Sequence, residues 1–444
     1  MKRYTTAVAL VVAATVRLSA QDAGTPERWN LYYQATSIGQ YHPAFQAPYK
    51  GTNSLESYSE RDVSLTTTLF FTLRLDPDTQ LVFDPEIAGG RGFSRVTGFA
   101  NPTNGELPRV AAATPKPYLA RAYFIHDFAL GSGREPAEAD ANQLGGSRPA
   151  LRYTVAVGRF TLTDFFDNNR YTHDPRTQFM AWGTMYNGAW DYPADTRGYT
   201  WGWLHELHLR DWSFRYASAA EPSVANGPRF DRRLFRDRGD VVEAESRFKI
   251  NGMPGTVRVL GFRNATRSGS YRDALAMTGT PDVTAIRKPG TTKYGVGVNF
   301  EQELAKDLGV FGRAGWADGR NEDFAFTAID HIVTGGLSLS GGGRWGRTRD
   351  SAATAVSVSG VSSVHEKYLA RGGVDFLLGD GKLAYGRETN WETYYSAAAG
   401  TVGGLATFVT FDVQRIWNPA YNRDRGPVWA LSLRLHVEGG QPRH

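Results

Sequence analysis

Apolar and polar residues alternate with a period of two along most of this chain. Near the C-terminus Trp429, Leu431, Leu433, Leu435 and Val437 fall on one face, and Ala430, Ser432, Arg434, His436 and Glu438 on the other. Leu65, Leu69, Phe71, Leu73 and Leu75 oppose Thr66, Thr68, Thr72 and Arg74, with Phe70 out of place. Tyr294, Val296, Val298 and Phe300 alternate with Gly295, Gly297, Asn299 and Glu301. Val242, Ala244, Phe248 and Ile250 alternate with Glu243, Glu245, Arg247 and Lys249. Successive side chains of a strand point to opposite faces, so this period predicts β-strands with one apolar face. A soluble sandwich alternates in the same way. Two details favour a transmembrane barrel: the polar faces carry full charges in series, and the apolar faces carry Trp, Tyr and Phe near strand ends, where an aromatic girdle belongs.

The pattern predicts strands near 29–40, 63–75, 79–88, 117–130, 151–160, 196–210, 212–220 and 241–250. The second half adds 255–264, 291–303, 308–317, 331–341, 352–361, 383–398, 405–417 and 427–437, giving sixteen. The odd-numbered connections are long, as in 41–62, 89–116 and 161–195, whereas the even-numbered ones are mostly tight turns such as Asp76-Pro77-Asp78 and Asn251-Gly252. Bacterial barrels have an even strand number, long external loops and short periplasmic turns. The polar segment 131–150 breaks the rule, being long on the short-turn side. The expected fold is therefore all-β, a transmembrane antiparallel barrel of about 16 strands. At that size the lumen stays open, whereas eight strands would be filled by side chains.

Composition narrows the class further. Mean hydropathy is −0.40, which excludes helical spans but not strands whose polar half faces water. The chain has no cysteine, which removes disulfide scaffolds, thiol nucleophiles and cysteine-ligated metals. A net charge of +5 arises from 50 Lys and Arg against 45 Asp and Glu without any basic block, so nucleic acid is not an expected partner. Met1-Lys2-Arg3, the apolar run Ala7–Val16 and Ala20 before Gln21 have the layout of a signal peptide. The expected organisation is an export signal over 1–20 and one barrel domain over 21–444.

The segment 158–202, GRFTLTDFFDNNRYTHDPRTQFMAWGTMYNGAWDYPADTRGYTWG, resembles the carbohydrate-selective porins of the OprB type. So do Phe99–Arg109, Leu369–Gly373, Leu378–Gly381, Trp391–Tyr395, Asn418–Pro427 and Arg434-Leu435-His436. The resemblance covers most of the chain from about residue 29. It implies a sixteen-stranded outer-membrane porin of a Gram-negative-type bacterium, passing small carbohydrates without energy input. It also implies contact with membrane lipid and with the barrel-assembly machinery, and it leaves a homotrimer open. One departure is the C-terminus, where Gly439–His444 replaces the aromatic residue on which family members usually end.

A sugar is neutral, rich in hydroxyls and apolar on its ring faces, so a selective pore needs charged and amide groups with aromatics beside them. In a wide barrel the long loop 161–195, folded inward, is the expected constriction. Its candidates for solute contact are Asp164, Asp167, Asn168, Asn169, Arg170, His173, Asp174, Arg176, Trp182 and Trp190. The competing expectation is that these acids and arginines pair and pin the loop to the wall, since partly buried charges are commonly paired. Candidates on the pore wall are Arg121, Arg152, Arg215, Glu243, Glu245, Arg247, Arg258, Glu301, Arg313 and Arg434. Arg or Lys facing lipid at mid-depth costs about 2–4 kcal/mol, a cost that lumen water removes. The acid and His spacing in 161–195 matches no closed metal motif, and no G-x-S-x-G or phosphate-binding loop is present. No cofactor, metal or catalytic residue is expected. The alternatives are a general or acidic-polysaccharide channel and, from a different class, an outer-membrane enzyme or an adhesive structural barrel.

Overall fold

The computed structural model describes residues 26–107, 113–231, 233 and 236–440. The expected signal peptide, 1–20, lies outside the described residues. The strands run β1 (Trp29–His42), β2 (Glu60–Asp76), β3 (Thr79–Gly90), β4 (Lys116–Ala129), β5 (Arg134–Ala137), β6 (Gly146–Pro149), β7 (Arg152–Phe160), β8 (Thr200–His208) and β9 (Trp212–Ala220). They continue as β10 (Arg238–Ile250), β11 (Met253–Ser268), β12 (Lys288–Ala305), β13 (Leu308–Ala317), β14 (His331–Ser340), β15 (Ser351–Gly360), β16 (Glu388–Val402), β17 (Leu405–Trp417) and β18 (Val428–Gly439). All but β5 and β6 form the barrel wall, which makes sixteen wall strands among the described residues. Each wall strand pairs antiparallel with its neighbours, and β1 closes on β18 with Tyr33 opposite Gly439 and Tyr41 opposite Leu431. Closure removes the open edges through which sheets otherwise aggregate.

Every expected wall strand is found, with ends moved by a few residues. The large shifts are at 196–210, which shortens to Thr200–His208, and at 383–398, which becomes Glu388–Val402. Segment 131–150, for which no strand is expected, contains β5 and β6, paired as a separate hairpin.

The alternation maps onto outside and inside. Leu431, Leu433 and Leu435 are exposed on the exterior, while Arg434 and His436 on the alternate positions are buried inside. Val296, Val298 and Phe300 are likewise exposed, and Asn299 is not. These exposed apolar faces make an outer belt that suits lipid rather than water. Trp201, Trp212, Trp316 and Trp417 are exposed at or near strand ends, where amphipathic rings meet a membrane interface.

The core lies inside the barrel. The loop between β7 and β8, L3, carries the one-turn helix α1 (Trp182–Met185). It brings Phe166, Trp182, Trp190 and Tyr192 into one buried cluster with Phe326. Phe70 explains its misfit: it is buried on the inner face. Two wall glycines make the loop's approach feasible. A Cβ on Gly297 or Gly315 would fall 2.3 Å or 1.9 Å from the Asn187 side chain of L3, so any larger residue there would have to displace that side chain from the wall.

A dome covers the long-loop end. It includes the short helix α2 (Tyr271–Leu275) and the helix α3 (Ser363–Ala370), each capped by a serine, Ser270 and Ser362, that accepts a backbone N–H. Tyr271, Tyr368, Leu377, Leu378 and Tyr421 pack together there.

Candidate functional site

Inward-pointing carboxylates of the wall accept the backbone N–H groups of the loops. Glu243 takes Asp167 N at 2.8 Å and Glu301 takes Arg170 N at 2.5 Å. Glu392 takes Met180 N and Ala181 N, and Glu388 takes Ala100 N, Asn101 N and Ala420 N. A loop in a pore has backbone donors with no strand partner, and charged acceptors give them strong hydrogen bonds. Two wall arginines do the converse. Arg313 donates to the Asp167 carboxylate and to the carbonyls of Asp167, Thr172 and Thr184 at 2.8–3.1 Å. Arg434 donates to the carbonyls of Pro175 and Gln178, both at 2.7 Å.

L3 thus crosses the barrel and leaves water-accessible space on two sides. An outer chamber of about 370 Å³ is lined by Phe70, Glu86, Tyr118, Arg121, Asp164, His173, Asp174, Arg176, Trp182 and Tyr199 among others. An inner chamber of about 550 Å³, toward the short-turn end, is lined by Arg152, Glu206, Arg215, Glu245 and Arg247. Asp164, Ala141 and Asn142 line both. Between the chambers Arg121 forks onto Asp164 with two bonds of 2.6 Å and reaches Asp84 at 3.3 Å. Asp84 lies directly opposite Arg121 in the β3–β4 register. Arg176 joins Glu106 of the preceding long loop to Glu86 of the wall, at 2.9 and 3.0 Å.

The structure gathers half of the loop candidates around the outer chamber: Asp164, His173, Asp174, Arg176 and Trp182. The others sit elsewhere. Asp167 is buried in the left-handed backbone region against Arg313. Asn169 is buried with its amide on Asn299 Oδ1 at 2.8 Å. Asn168 donates to Asp164 O at 3.3 Å. Trp190 packs on Phe166 and Tyr192. Arg170 is 60% exposed at its side chain and pairs with Glu303, close to the short-turn end of β12. His173 Nδ1 has no hydrogen-bond partner among the described residues, and burial together with the Arg313 charge lowers its pKa. A neutral imidazole therefore faces the chamber at pH 7.

Six of the ten wall candidates, Arg215, Glu243, Glu245, Arg247, Arg258 and Glu301, form a cross-strand ladder rather than a ring of free charge. Arg215 stands opposite both Glu206 and Glu243, and Glu245 opposite Arg258. Arg215 bonds Glu206, Glu243 and Glu245 at 2.8–3.1 Å. Arg258 bonds Glu245 at 2.9 Å and comes within 3.5 Å of Glu301, while Arg247 also caps Glu245. Arg152 pairs with Glu135 of the β5–β6 hairpin at 3.0 Å. Directly opposed unlike charges stabilise a sheet locally and leave little net field.

Sequence reasoning missed Asp84, Glu86, Glu106, Tyr118, Asn142 and Tyr199. Asp84 and Glu86 were findable, because they share the inward face of β3 with Val82 and Ala88. Glu106 and Asn142 lie on loops with no periodic signal.

One cluster among the described residues has the geometry for a cation: ligand atoms of Asp323, His365 and Asp375 in the dome lie within 4.8 Å of one another. The chain supplies its own cations there. Lys293 sits on Asp323, and His365 bridges Asp330 and Asp375 at 3.3 and 2.9 Å. Burial opposes the charge on His365, but the two carboxylates outweigh it and raise its pKa to about 10.

A family model and one solved porin structure agree with this architecture. A model of carbohydrate-selective porins of the OprB family matches residues 72–438. The high-pH structure of Pseudomonas putida OprB superposes with a TM-score of 0.65 at 16% identity, covering 93% of each chain. Acinetobacter baumannii OccAB1 gives 0.48 at 9% identity over 94% of this chain and 98% of that one. Pseudomonas aeruginosa OccK2 gives 0.46 at 10% identity over 94% and 99%. No curated protein matches the chain. The matched family is one of porins, not enzymes. With a closed sixteen-stranded wall, an apolar outer belt and a family match spanning most of its length, the chain belongs to the carbohydrate-selective porins of the OprB family and is an integral outer-membrane porin.

Proposed function

We propose that this porin passes small neutral carbohydrates by passive diffusion, preferring them to charged solutes of equal size. The observation that carries this reading is the outer chamber, where aromatic faces stand beside charges that are already paired. Phe70, Tyr118, Trp182 and Tyr199 offer surfaces for a sugar ring. Arg121 and Arg176 each lie between two carboxylates. Their donors and acceptors remain suited to hydroxyls, while the pairing gives an ion little reason to enter. Release requires weak binding, which partly satisfied groups provide. In this reading L3 sets the constriction at Arg121 and Asp164, residues 1–20 are a cleaved export signal, and the barrel-assembly machinery inserts the exported chain.

Liposome swelling with monosaccharides and size-matched amino acids tests the preference. Monosaccharides are expected to enter several-fold faster than amino acids carrying net charge. Equal rates would overturn it in favour of a general channel.

A further inference from the structure

The long connection on the barrel's short-turn side is not a passive linker. The β5–β6 hairpin pairs Arg134 with Pro149 and Ala137 with Gly146, and its base is clamped by Arg134 on Asp78 at 2.8 Å and by Arg152 on Glu135 at 3.0 Å. Its tip then turns inward along β1–β3. Leu144 N donates to Gln80 Oε1 at 3.2 Å, and Asn30 donates to Gln143 O at 2.9 Å. Asn142, in the left-handed region at φ 61°, reaches further up the wall and donates to Asp84 Oδ2 at 2.9 Å. Asp84 stands six residues beyond Asp78 at the turn, roughly 20 Å along the strand at ~3.3 Å per residue. The tip therefore meets the same carboxylate that Arg121 contacts from the wall, next to the Asp164 supplied by L3. Ala141 and Asn142 line both chambers, as Asp164 does.

We propose that the passage has two jaws: L3 from the outside, and the β5–β6 hairpin from the periplasmic side, with Asn142 as the residue that limits solute size. This rests on the reading that solutes cross between the chambers at Asp164, but not on their being sugars. A hairpin held only at its base would leave the inner chamber broadly continuous with the outer one. Here the Asn142 amide, latched to Asp84, narrows that connection from the side facing L3. The limit on solute size is thus set by two segments that are separate in sequence and enter from opposite ends of the barrel.

The absence of native cysteine makes a direct test available. Asn142→Cys, with Gly131→Cys at the open base of the hairpin as control, is treated with a bulky methanethiosulfonate and followed by single-channel KCl conductance. Labelling is verified by mass. The expected result is a loss of at least half the conductance for Asn142→Cys and almost none for Gly131→Cys. Unchanged conductance of a fully labelled Asn142→Cys channel overturns the proposal, and so does a thiol at position 142 that the reagent never reaches. A second variant replaces 138–145 by two glycines, leaving the clamped base. Its conductance should rise about two-fold, and disaccharides should gain entry relative to monosaccharides in swelling assays. A folded, shortened barrel with parental conductance and parental size limit would equally defeat the two-jaw account. The KCl readout is independent of sugar preference, so failure of the carbohydrate reading leaves it intact.

Discussion

Arg313 with Asp167 and Arg121 with Asp164 look alike in the sequence. Each is an inward-facing wall arginine paired with an aspartate of L3, and the two aspartates are three residues apart. The structure gives them different work. Arg313 is 1% exposed at its side chain and is used up by one carboxylate and three L3 carbonyls. Arg121 is 13% exposed, directs its hydrogen bonds to carboxylates and lines the outer chamber. The first pair fastens the loop; the second lines the outer chamber. What separates them is how many of the arginine's donors the backbone of L3 consumes, a property of loop conformation and not of residue type.

Breaking the fastening pair should give the largest effect. Arg313→Ala removes the cation beside the buried Asp167 carboxylate, which keeps only neutral donors from Asn187 and Asn299, and breaking a buried ion pair costs about 3–5 kcal/mol. The barrel should remain closed, since its strand pairing is untouched, while L3 leaves the wall. Heat-dependent gel mobility should report a less stable porin, and bilayer recordings a larger, noisier conductance.

His365 extends the contrast to a buried charge in the dome. Its pKa is raised to about 10 in the folded protein against ~6.5 unfolded. The protonated form is therefore favoured by folding, so its stabilisation is complete below about pH 6.5. It is lost progressively as pH rises through 10, roughly a few kcal/mol in all by the same linkage. Hydrogen-exchange protection factors over 363–380 should fall between pH 7 and pH 10 in the parent. In His365→Gln they should already be low at pH 7, and a parent profile flat across that range would contradict the assignment.

At the second pair, Arg121→Ala should cost less stability, about 1–3 kcal/mol for carboxylate groups left short of a partner. It should alter permeation more, because Asp84 and Asp164 become uncompensated beside the passage. The permeability ratio of potassium to chloride, from reversal potentials in a KCl gradient, should rise several-fold. If stability falls as far as in Arg313→Ala with no change in selectivity, the two pairs are equivalent and the contrast fails.

Arg170→Ala is the weakest expected perturbation. Its partner Glu303 faces it at a water-exposed site, where an ion pair is worth under about 1 kcal/mol. Thermal stability and conductance should both stay close to parental values.

Much of this was legible from residue order. The run Leu431, Leu433 and Leu435 against Arg434 and His436 identified outside and inside, because a strand admits only two side-chain directions. Phe70 broke the alternation of β2 and proved to be an inner-face aromatic of the outer chamber. Gly297 and Gly315 stood in the chain as ordinary strand glycines, yet their role is to admit Asn187 against the wall. That role depends on a loop more than a hundred residues away in sequence. Asn142 was unreadable for the same reason: nothing local says that a polar segment after β4 will fold back to Asp84.

The chain by itself determined the wall: period-two alternation, sixteen strands, long loops at one end, and charge concentrated on the inner face. These follow from interactions between near neighbours and from the two environments a membrane barrel offers its side chains. Which inward charges bind loops and which border water was decided only by the tertiary structure. Partner choice inside the lumen depends on where L3 and the β5–β6 hairpin come to rest, and those contacts join residues that no local pattern connects.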